Sequence, residues 1–356
     1  MNSTKLDTKS DKKSGKKIKT LFAKVHEDRL KFIDTCFDYL YKKVEPNKDS
    51  EHTRLLIKKM SKAYTKNGLE TPIYAPYGGF GRKIAGALSP FAVKREFRAC
   101  LCDGICTDID IENCHPHALL WLGERLGLCT DTIEAYLNDK VGIREMVARE
   151  IGGSVADAKD RLFKAINGGW VGGSEESQTG FVCSLQQEAR EIFRQSRIHK
   201  IGEMNFEKIW AYVEKNRDGE ERMRSYGSFV LQTIENACLE CIEDACRELN
   251  IEIHSLCYDG AMIYSFGEDA ERACRLAEDI MNKRLETKID WSVVVKPFEY
   301  PILSEFLPYV GQTCIEWMEN GFCPLLMAEN DQEAWPLVSA KFRGVYFCDR
   351  QDQWYK

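Results

Sequence analysis

The sequence predicts a protein of the α+β class, with long helices beside an antiparallel sheet. Apolar residues recur at three- and four-residue steps through 21–45 and through 228–249, which is the period of an amphipathic helix. Residues 105–111 alternate as a strand does, and 251–265 favour two apolar strands around a Tyr-Asp-Gly turn, which is a hairpin signal. In this arrangement the strands carry acids and the helices carry cations.

The N-terminal third combines predicted helices with a glycine-rich loop. Helices are expected over 21–45 and 51–65. The next stretch, GLETPIYAPYGGFGRKIAG, is rich in Gly and Pro and predicts a loop with short strands. A compact basic cluster, PFAVKREFRAC, lies just before the strand at 105–111.

The rest of the chain alternates helices with short strands. After the first strand, HPHALLWLGERLGL predicts a helix with Pro116 in its first turn. A later helix begins with Ser154 and Asp157 in the spacing of a capping box. Further expected elements are helices within 126–180, 181–215, 228–249 and 267–285, a strand at WSVVVKPFEY and a strand pair in FRGVYFCDRQDQWYK.

The composition favours an intracellular protein of two or three domains. The chain has 356 residues and a formal net charge of -6, so the whole chain is not a basic nucleic-acid coat. Eight lysines against two aspartates in residues 1–24 indicate a disordered tail, which either attracts phosphates or only solubilises the chain. No secretory signal and no membrane-spanning apolar run are found, so no membrane partner is expected.

Cysteines occur in two groups that raise the question of a zinc site. The chain has 15 cysteines, which are expected as free thiols in a reducing compartment. Neither group supplies the second pair of ligands that a structural zinc site needs, so core packing is favoured. The groups are Cys100, Cys102 and Cys106, and Cys238, Cys241 and Cys246.

Three aspartates form the first candidate site. Alternation along the strand puts Asp108 and Asp110 on one face, while Asp259 lies in the separate hairpin between apolar residues. Carboxylates brought together from separate strands suit a pair of Mg²⁺ ions, which take oxygen ligands and substrate phosphates. Each acid alone also fits a structural role, since an Asp-Gly pair such as Asp259-Gly260 is common in turns.

Cations on the helix that begins at Ser154 form the second candidate site. Lys164 lies three residues after Arg161, so the two share a helix face, and Lys159 adds a third cation. Such cations can hold a triphosphate and neutralise charge in the transition state. A solvated helix face is the competing interpretation. The buried side is indicated by Leu162, Phe163 and Ile166.

Three segments of the chain match motifs of one known family. KAINGGWVGGS, with Lys164 and Asn167 in register, resembles the fingers-helix motif of family A DNA polymerases. DIENCHPHA, from Asp110, resembles the first palm motif, in which a metal-binding aspartate opens the run. HSLCYDGAMI resembles the second palm motif, with Tyr258-Asp259 where the family has His-Asp.

Basic stretches extend the resemblance. GGFGRK, with Arg82, resembles the Gly-Arg stretch that touches primer and template, and KREFRACL, with Arg95 and Arg98, resembles the stretch before the first palm motif. Gln232 and Glu235 resemble the Gln-containing helix that contacts the primer end. The motifs follow the family's order over roughly residues 78–300. The chain looks most like the compact versions of viruses and mobile elements, and more distantly like the single-subunit RNA polymerases of phages.

The motifs depart from the family at several positions. The family's stacking aromatic and tyrosine fall on glycines, so Trp170 is expected to stack on the incoming base. The family's first fingers arginine falls on an aspartate, so Lys159 or Arg161 is expected in its role. The glutamate that screens out a 2′-hydroxyl falls on His115, which leaves the choice between dNTP and rNTP open.

The resemblance implies a right-hand polymerase fold. An antiparallel palm sheet would carry the acids, the fingers and thumb would be mostly helical, and no exonuclease domain is expected. The implied division is a basic tail at 1–20, a helical, thumb-like region at 21–104, the palm at 105–125 and 226–300, the fingers at 126–225 and a C-terminal appendix of unassigned role at 301–356.

The activity implied by the resemblance is template-directed nucleotidyl transfer in the replication of a virus or mobile element. Asp110 and Asp259 would hold two Mg²⁺, or Mn²⁺ as a substitute, with the Ile111 carbonyl and Asp108 as further ligands. Lys164, with Arg161 or Lys159, would bind the nucleotide phosphates. The remaining implied contacts are Asn167, Trp170, Asn113 and His115 for the nucleotide, and Arg82, Arg95, Arg98, Gln232 and Tyr258 for the nucleic acid.

The expected partners are nucleoside triphosphates and a DNA primer–template, with RNA left open. A helicase or primase, as a separate partner or a fused domain, is a further expectation. Three other functions compete: a primase or RNA-synthesising enzyme, an inactive nucleic-acid-binding module of a larger replication protein, and a metal-dependent nuclease. The nuclease would use the acids but not the pattern around Lys164.

Overall fold

The fold combines helices with small antiparallel sheets. The computed structural model describes residues 16–45, 50–169, 180–287, 289–312, 316–317, 320, 346–348 and 353–355. Within them the chain divides into two compact units: Met1–Phe22, Thr71–Gly86 and Cys106–Pro297 form the first, and Ala23–Glu70, Ala87–Ile105 and Phe298–Lys356 the second. No helix in this part of the chain is both long and apolar enough to cross a membrane.

The elements follow one another in an irregular alternation. The strands are β1 (Lys17–Ala23), β2 (Leu69–Tyr74), β3 (Ile84–Ala85), β4 (Thr107–Ile111), β5 (Lys200–Ile201), β6 (Met204–Asn205), β7 (Ile253–Cys257), β8 (Gly260–Ile263), β9 (Val293–Lys296), β10 (Tyr346–Cys348) and β11 (Gln353–Tyr355). The helices are α1 (Glu27–Thr35), α2 (Phe37–Val44), α3 (Glu51–Ala63), α4 (Arg95–Cys102), α5 (Cys114–Arg125), α6 (Asp131–Asn138), α7 (Lys140–Ile151), α8 (Val155–Ile166), α9 (Gly180–Ser196), α10 (Phe206–Asn216), α11 (Gly219–Glu248), α12 (Gly267–Arg284) and α13 (Pro301–Ser304).

The first unit is built on a four-stranded sheet. Its strand order is β7-β8-β4-β9, and every neighbouring pair is antiparallel. The predicted hairpin is confirmed, because β7 pairs with β8 through Cys257 opposite Gly260. Strand β4 lies between β8 and β9, with Ile109 buried and Asp108 and Asp110 half-buried on the opposite face. The two acids therefore share one face of an inner strand.

Helix α11 organises the core of the first unit. It contacts helices α5, α9, α10 and α12 and strand β8. The three cysteines at 238, 241 and 246 are all buried on it, in agreement with their expected role in core packing. Other buried residues of this helix are Tyr226, Val230, Leu231, Ile234 and Ile242.

The second unit has its own aromatic core. Helix α1 contacts α2, α3 and α4, and α13 contacts α2 and α4. The Phe37 and Phe97 rings stack with centroids 5.8 Å apart, and the Tyr41 and Phe97 rings stack at 6.1 Å. Such ring pairs add to the free energy of apolar burial, so aromatic packing contributes to the core of this unit.

The single helix predicted over 21–45 is wrong. The chain forms strand β1 up to Ala23 and then two helices, with Cys36 between them at φ -102° and ψ 17°. Both helices bury apolar residues, Leu30 and Ile33 in the first and Phe37 and Leu40 in the second. Because these residues keep a three- to four-residue spacing across the break, the apolar pattern does not reveal it.

The predicted tail of residues 1–20 is ordered at its end. Lys17 and Lys19 belong to strand β1, and the Lys19 ammonium pairs with the carboxylate of Glu243 on helix α11. Glu243 is buried, so an ion partner far away in sequence explains why part of a lysine-rich run is ordered. The rest of the predicted tail, residues 1–15, lies outside the described residues.

The thumb-like range of residues 21–104 is divided between the two units, because Thr71–Gly86 belongs to the first. The Gly81 amide donates to Thr233 Oγ1 at 2.8 Å, and the Lys83 amide donates to Asn236 Oδ1 at 3.3 Å. These bonds attach the glycine-rich loop to helix α11. The C-terminal strand pair predicted from the sequence is confirmed as β10 and β11.

Candidate active site

Each of the two aspartates of strand β4 is paired with one residue on β8 and one on β9. Asp110 is paired with Gly260 on β8 and with Val294 on β9. Asp108 is paired with Met262 and with Lys296 on the same two strands. Asp110 therefore lies nearer to the hairpin turn between β7 and β8, where Asp259 is found.

The hairpin turn holds Asp259 against the end of β4. The Ile111 amide donates to the Asp259 carbonyl oxygen at 3.0 Å. Gly260 permits this approach, because a Cβ at that position would lie 2.3 Å from the Ile109 carbonyl oxygen and 3.1 Å from Asp110 Oδ1. The sheet thus brings the two aspartates predicted as metal ligands, Asp110 and Asp259, to adjacent strand ends.

Asp110 has a cationic partner on strand β9. The Lys296 ammonium forms an ion pair with Asp110 Oδ2. Lys296 lies opposite Asp108 in the register and reaches diagonally to Asp110, which is within the range of a long side chain on a sheet face. The carboxylate predicted to hold a metal is therefore neutralised by a lysine.

A buried charge cluster lies in the same unit as the acids. Glu235 on α11 is fully buried, and its Oε2 accepts from Arg82 Nη2 at 2.8 Å and bonds to His115 Nε2 at 2.7 Å. His115 is 7% exposed. Burying a carboxylate is costly unless it is paired and hydrogen-bonded, and here Arg82 supplies the opposite charge.

An exposed aromatic ring lies at each end of this cluster. The Phe163 ring stacks on His115 with centroids 5.4 Å apart and planes 10° from parallel. The Arg82 guanidinium lies over the Tyr258 ring at 4.5 Å. Phe163 is 49% exposed and Tyr258 is 61% exposed. The sequence predicted that Phe163 belongs to the buried side of α8, and this prediction is wrong. The ring is half exposed and covers His115.

The charge cluster perturbs Asp259. Burial raises the pKa of Asp259, and the negative charge of Glu235 raises it further, while His115 and Arg82 act in the opposite direction. The same burial effect places the pKa of the neighbouring Cys114 thiol well above its usual range. Asp259 thus lies in electrostatic reach of Glu235, His115 and Arg82.

The predicted phosphate-binding cations lie on helix α8. Its buried residues are Ala158, Leu162, Ala165 and Ile166, and the predicted capping box of Ser154 and Asp157 is present. Lys159 and Lys164 are exposed, and Arg161 is half-buried. Phe163, which precedes Lys164, contacts His115 and so connects this helix to the cluster. The phosphate contacts of the three cations stay predictions.

Other predicted nucleotide contacts have partners within the protein. The Asn167 side-chain amide donates to the Phe163 carbonyl at 2.8 Å, and Asn167 is buried. Asn113 has a positive φ of 48°, and its Oδ1 accepts from Lys140 Nζ at 3.2 Å. One atom of each side-chain amide group is thus already engaged within the protein. Trp170 lies outside the described residues.

The predicted nucleic-acid contacts fall in both units. Arg82, Tyr258 and Gln232 belong to the first unit, where the Gln232 amide donates to Ser228 Oγ at 2.9 Å. Arg95 and Arg98 belong to α4 of the second unit. There Arg95 pairs with Glu299 at 3.1 Å, and the Arg98 guanidinium lies 4.6 Å from the centre of the Phe91 ring.

The residues predicted as metal ligands are oxygen donors, the type that a hard divalent cation prefers. Two carboxylates, Asp110 and Asp259, and the main-chain carbonyl of Ile111 come from adjacent strand ends, and oxygen ligands of this kind suit Mg²⁺. The Lys296 ammonium already lies on Asp110, so this position attracts positive charge. A metal ion bound there would take over or share the role of Lys296.

Sequence reasoning missed Lys296, Lys140 and the role of Phe163. The signal for Lys296 was a charged residue at the end of the apolar run SVVVK, on the strand predicted at WSVVVKPFEY. The signal for Phe163 was its position next to Lys164 on the polar side of an amphipathic helix. Lys140 gave no comparable signal, because its contact with Asn113 joins segments far apart in sequence.

Comparisons with known proteins give two similarities. No family model matches the chain. The chain is 23% identical over 225 residues to "Putative helicase V13" of Sputnik virophage, which covers 60% of this chain and 28% of that protein. The structure is similar to the POL domain of Pol1 from M. smegmatis, in complex with DNA primer-template and dNTP, with a TM-score of 0.47 and 10% identity over 70% of this chain and 51% of that chain. The chain thus spans about a quarter of the virophage relative and half of the polymerase chain.

Proposed function

We propose that the chain catalyses template-directed nucleotidyl transfer. The observation that carries the proposal is the pairing of β4 with the β7–β8 hairpin, which brings Asp110 and Asp259 to adjacent strand ends. Two acids at such a position suit two-metal phosphoryl transfer. The cluster of Arg82, Glu235 and His115 lies within electrostatic reach of Asp259, and the exposed rings of Phe163 and Tyr258 flank that cluster. These groups suit contacts to phosphates and bases.

Asp110 and Asp259 would hold the metal ions, with the Ile111 carbonyl and Asp108 as further ligands. When bound, two Mg²⁺ supply charge neutralisation at the attacking and leaving oxygens. The primer 3′-oxygen forms a bond to the α-phosphorus as the bond to the β-phosphate oxygen breaks. The hydroxyl proton passes to solvent, and pyrophosphate leaves with a proton from Lys164.

The other residues bind and orient. Lys164, with Arg161 or Lys159, would hold the β- and γ-phosphates, because a lysine and an arginine near one helix face can both reach a triphosphate. His115 would lie against the sugar, and Asn113, Asn167 and Trp170 would complete the nucleotide site. Arg82 and Tyr258 would contact the primer–template in the first unit. Gln232, Arg95 and Arg98 are the further proposed nucleic-acid contacts.

Primer extension on a defined template with Mg²⁺ tests the proposal. Parallel reactions with dNTPs and rNTPs, each with and without a primer, separate a DNA polymerase from a primase or RNA-synthesising enzyme. Extension that requires primer, template and dNTP supports the proposal. Binding of the primer–template without extension under any of these conditions supports the inactive module, and cleavage of the template supports the nuclease.

Lys164→Ala is expected to lower nucleotide incorporation about a hundredfold while changing primer–template affinity about twofold or less. The reason is that a phosphate-binding cation acts mainly on the triphosphate and its transition state. Single-nucleotide incorporation and fluorescence anisotropy of a labelled primer–template measure the two effects. Lys215→Ala, at an exposed lysine of α10, is the control. Equal losses of incorporation and binding in Lys164→Ala would argue against this role.

His115→Ala is expected to raise rNTP use relative to dNTP use about tenfold, because a smaller side chain leaves room for a 2′-hydroxyl. The change also removes one hydrogen bond to buried Glu235, so the free energy of unfolding should fall by about 1–3 kcal/mol. The ratio of kcat/KM for the two nucleotides is the readout. His115→Asn, which keeps a polar group facing Glu235, is the matched variant. An unchanged ratio in both refutes a role in sugar choice.

A second candidate is a part in duplex unwinding, favoured by the similarity to a virophage protein named as a putative helicase. This candidate predicts ATP-dependent separation of a labelled duplex. It does not require Asp110 and Asp259 to lie together, so we rank it second. Unwinding that survives Asp259→Asn would reverse the ranking.

A further inference from the structure

Glu235 connects three segments that are far apart in sequence. It lies on α11, Arg82 lies in the glycine-rich loop and His115 lies in the first turn of α5. We infer that Glu235 is the positioning residue that orients Arg82 toward the nucleic acid and His115 toward the nucleotide. The inference rests on the proposed function, because it takes Arg82 as a contact to the primer–template.

The contacts of Glu235 are asymmetric. One oxygen, Oε2, receives both bonds, 2.8 Å from Arg82 Nη2 and 2.7 Å from His115 Nε2. The other oxygen, Oε1, is buried and has no hydrogen-bond partner in the described part of the chain, and the same holds for Arg82 Nε and His115 Nδ1. One atom therefore fixes two side chains, and each keeps a polar atom that the cluster does not use.

Burial makes this arrangement rigid. Glu235 is 0% exposed, while the Arg82 side chain keeps 28% of its exposure. A buried carboxylate cannot exchange its partners for water without a large cost. The Arg82 side chain can take only those orientations that keep its bond to Glu235 Oε2. Glu235 therefore determines how Arg82 faces the surface.

The positions of His115 and Arg82 also affect two exposed aromatic rings that lie against them. Phe163 stacks on His115, and Tyr258 lies on Arg82, and both residues are exposed, Phe163 by about half and Tyr258 by more. Exposed aromatic rings beside cations are the groups on which nucleic-acid bases stack. By fixing His115 and Arg82, Glu235 therefore also supports Phe163 and Tyr258, which precede Lys164 and Asp259 in the sequence.

The loop that carries Arg82 is attached to α11 by bonds that do not involve Glu235. The amides of Gly81 and Lys83 donate to Thr233 and Asn236. Lys83 also pairs with Glu240 at 3.2 Å. Removal of Glu235 should therefore release the Arg82 side chain without detaching the loop, which separates positioning from general structural support.

Helix α11 also offers a matched control. Glu243 lies two turns after Glu235, is also buried, and pairs with two cations, Lys19 and Lys83. Glu235→Leu and Glu243→Leu each remove a buried carboxylate with two basic partners from the same helix. Only the first removes a contact to Arg82 and His115. Glu235→Gln keeps an acceptor oxygen and serves as the conservative variant.

The experiment measures anisotropy of a labelled primer–template, with its salt dependence, for Glu235→Leu, Glu235→Gln, Glu243→Leu, Arg82→Ala and the Glu235→Leu/Arg82→Ala double variant. Glu235→Leu is expected to weaken binding about tenfold and to reduce the salt slope by about one phosphate contact. With Arg82 already removed, it should add about twofold or less. Glu235→Gln should recover part of the affinity, and Glu243→Leu should stay within about twofold of the wild type.

Additive losses in the double variant, or equal losses in Glu235→Leu and Glu243→Leu, would overturn the inference, as would a wild type without salt-sensitive binding. Thermal unfolding shows whether each variant folds. If Glu235→Leu does not fold, the affinity of Glu235→Gln, alone and combined with Arg82→Ala, decides between coupled and additive losses. Primer extension runs in parallel. A wild type that binds with the expected coupling but does not extend refutes the proposed function alone, whereas extension with additive losses refutes the positioning role alone.

Discussion

Asp259→Asn is expected to reduce primer extension by about 10³-fold or more and to leave the fold intact. Asparagine keeps the shape of the side chain and removes the negative charge that the two proposed metal ions would need. Metal-assisted charge stabilisation contributes several kcal/mol to phosphoryl transfer, and each 1.4 kcal/mol is about tenfold in rate. Extension of a labelled primer measures the loss.

The stability part of this prediction follows from the pKa of Asp259. Burial and the charge of Glu235 raise that pKa, so the ionised carboxylate is less favourable in the folded protein than in the unfolded chain. Its ionisation therefore opposes folding once the pH rises above the unfolded pKa, and a neutral asparagine removes this effect. The melting temperature of Asp259→Asn at neutral pH should equal or exceed that of the wild type. Asp279→Asn, at an exposed position of α12, is the control, and normal extension by Asp259→Asn would refute the site.

Gly260→Ala is expected to lower the free energy of unfolding by about 3 kcal/mol or more and to abolish extension. A Cβ at this position would lie 2.3 Å from the Ile109 carbonyl oxygen and 3.0 Å from the Asp110 Cα. Both are backbone atoms, so no side chain can turn away, and β4 and β8 must separate. Overpacking of this kind costs about 1–3 kcal/mol in ordinary cores and more where the backbone must move. Chemical denaturation measures the effect.

Gly180→Ala is the matched control for this change. Gly180 begins helix α9, and no atom of the described residues lies within 4 Å of a Cβ added there. Alanine is the better helix former, so this variant should be as stable as the wild type or slightly more stable. If Gly260→Ala proved equally harmless, the close pairing of the hairpin with β4, and with it the placement of Asp259, would be wrong.

Much of the local structure could be predicted from the sequence. The hairpin around Asp259, the strand with Asp108 and Asp110 and the capping box at Ser154 all depend on residues close together in sequence, and the structure contains each of them. The family resemblance favoured Asp110 over Asp108 as a metal ligand beside Asp259, and that role stays a prediction. In the register, Asp110 is the residue paired next to the turn.

The long-range contacts could not be predicted. Lys296 reaches Asp110 across 186 positions, and Arg82 reaches Glu235 across 153. A local sequence pattern does not indicate which carboxylate will pair with which cation, because the pairing depends on strand order and helix packing. The break at Cys36 was hidden for a related reason: tertiary packing ended one helix and began another without disturbing the apolar period.

The ion pair between Lys296 and Asp110 has a consequence for how the protein matures. In the proposed site Asp110 would hold a metal ion, and its charge would then be uncompensated in a newly made chain until the ion arrived. Strand β9 instead supplies a counter-charge, Lys296, as soon as it pairs with β4. Charge compensation at Asp110 then needs no metal ion, and an incoming ion would compete with the Lys296 ammonium for this carboxylate.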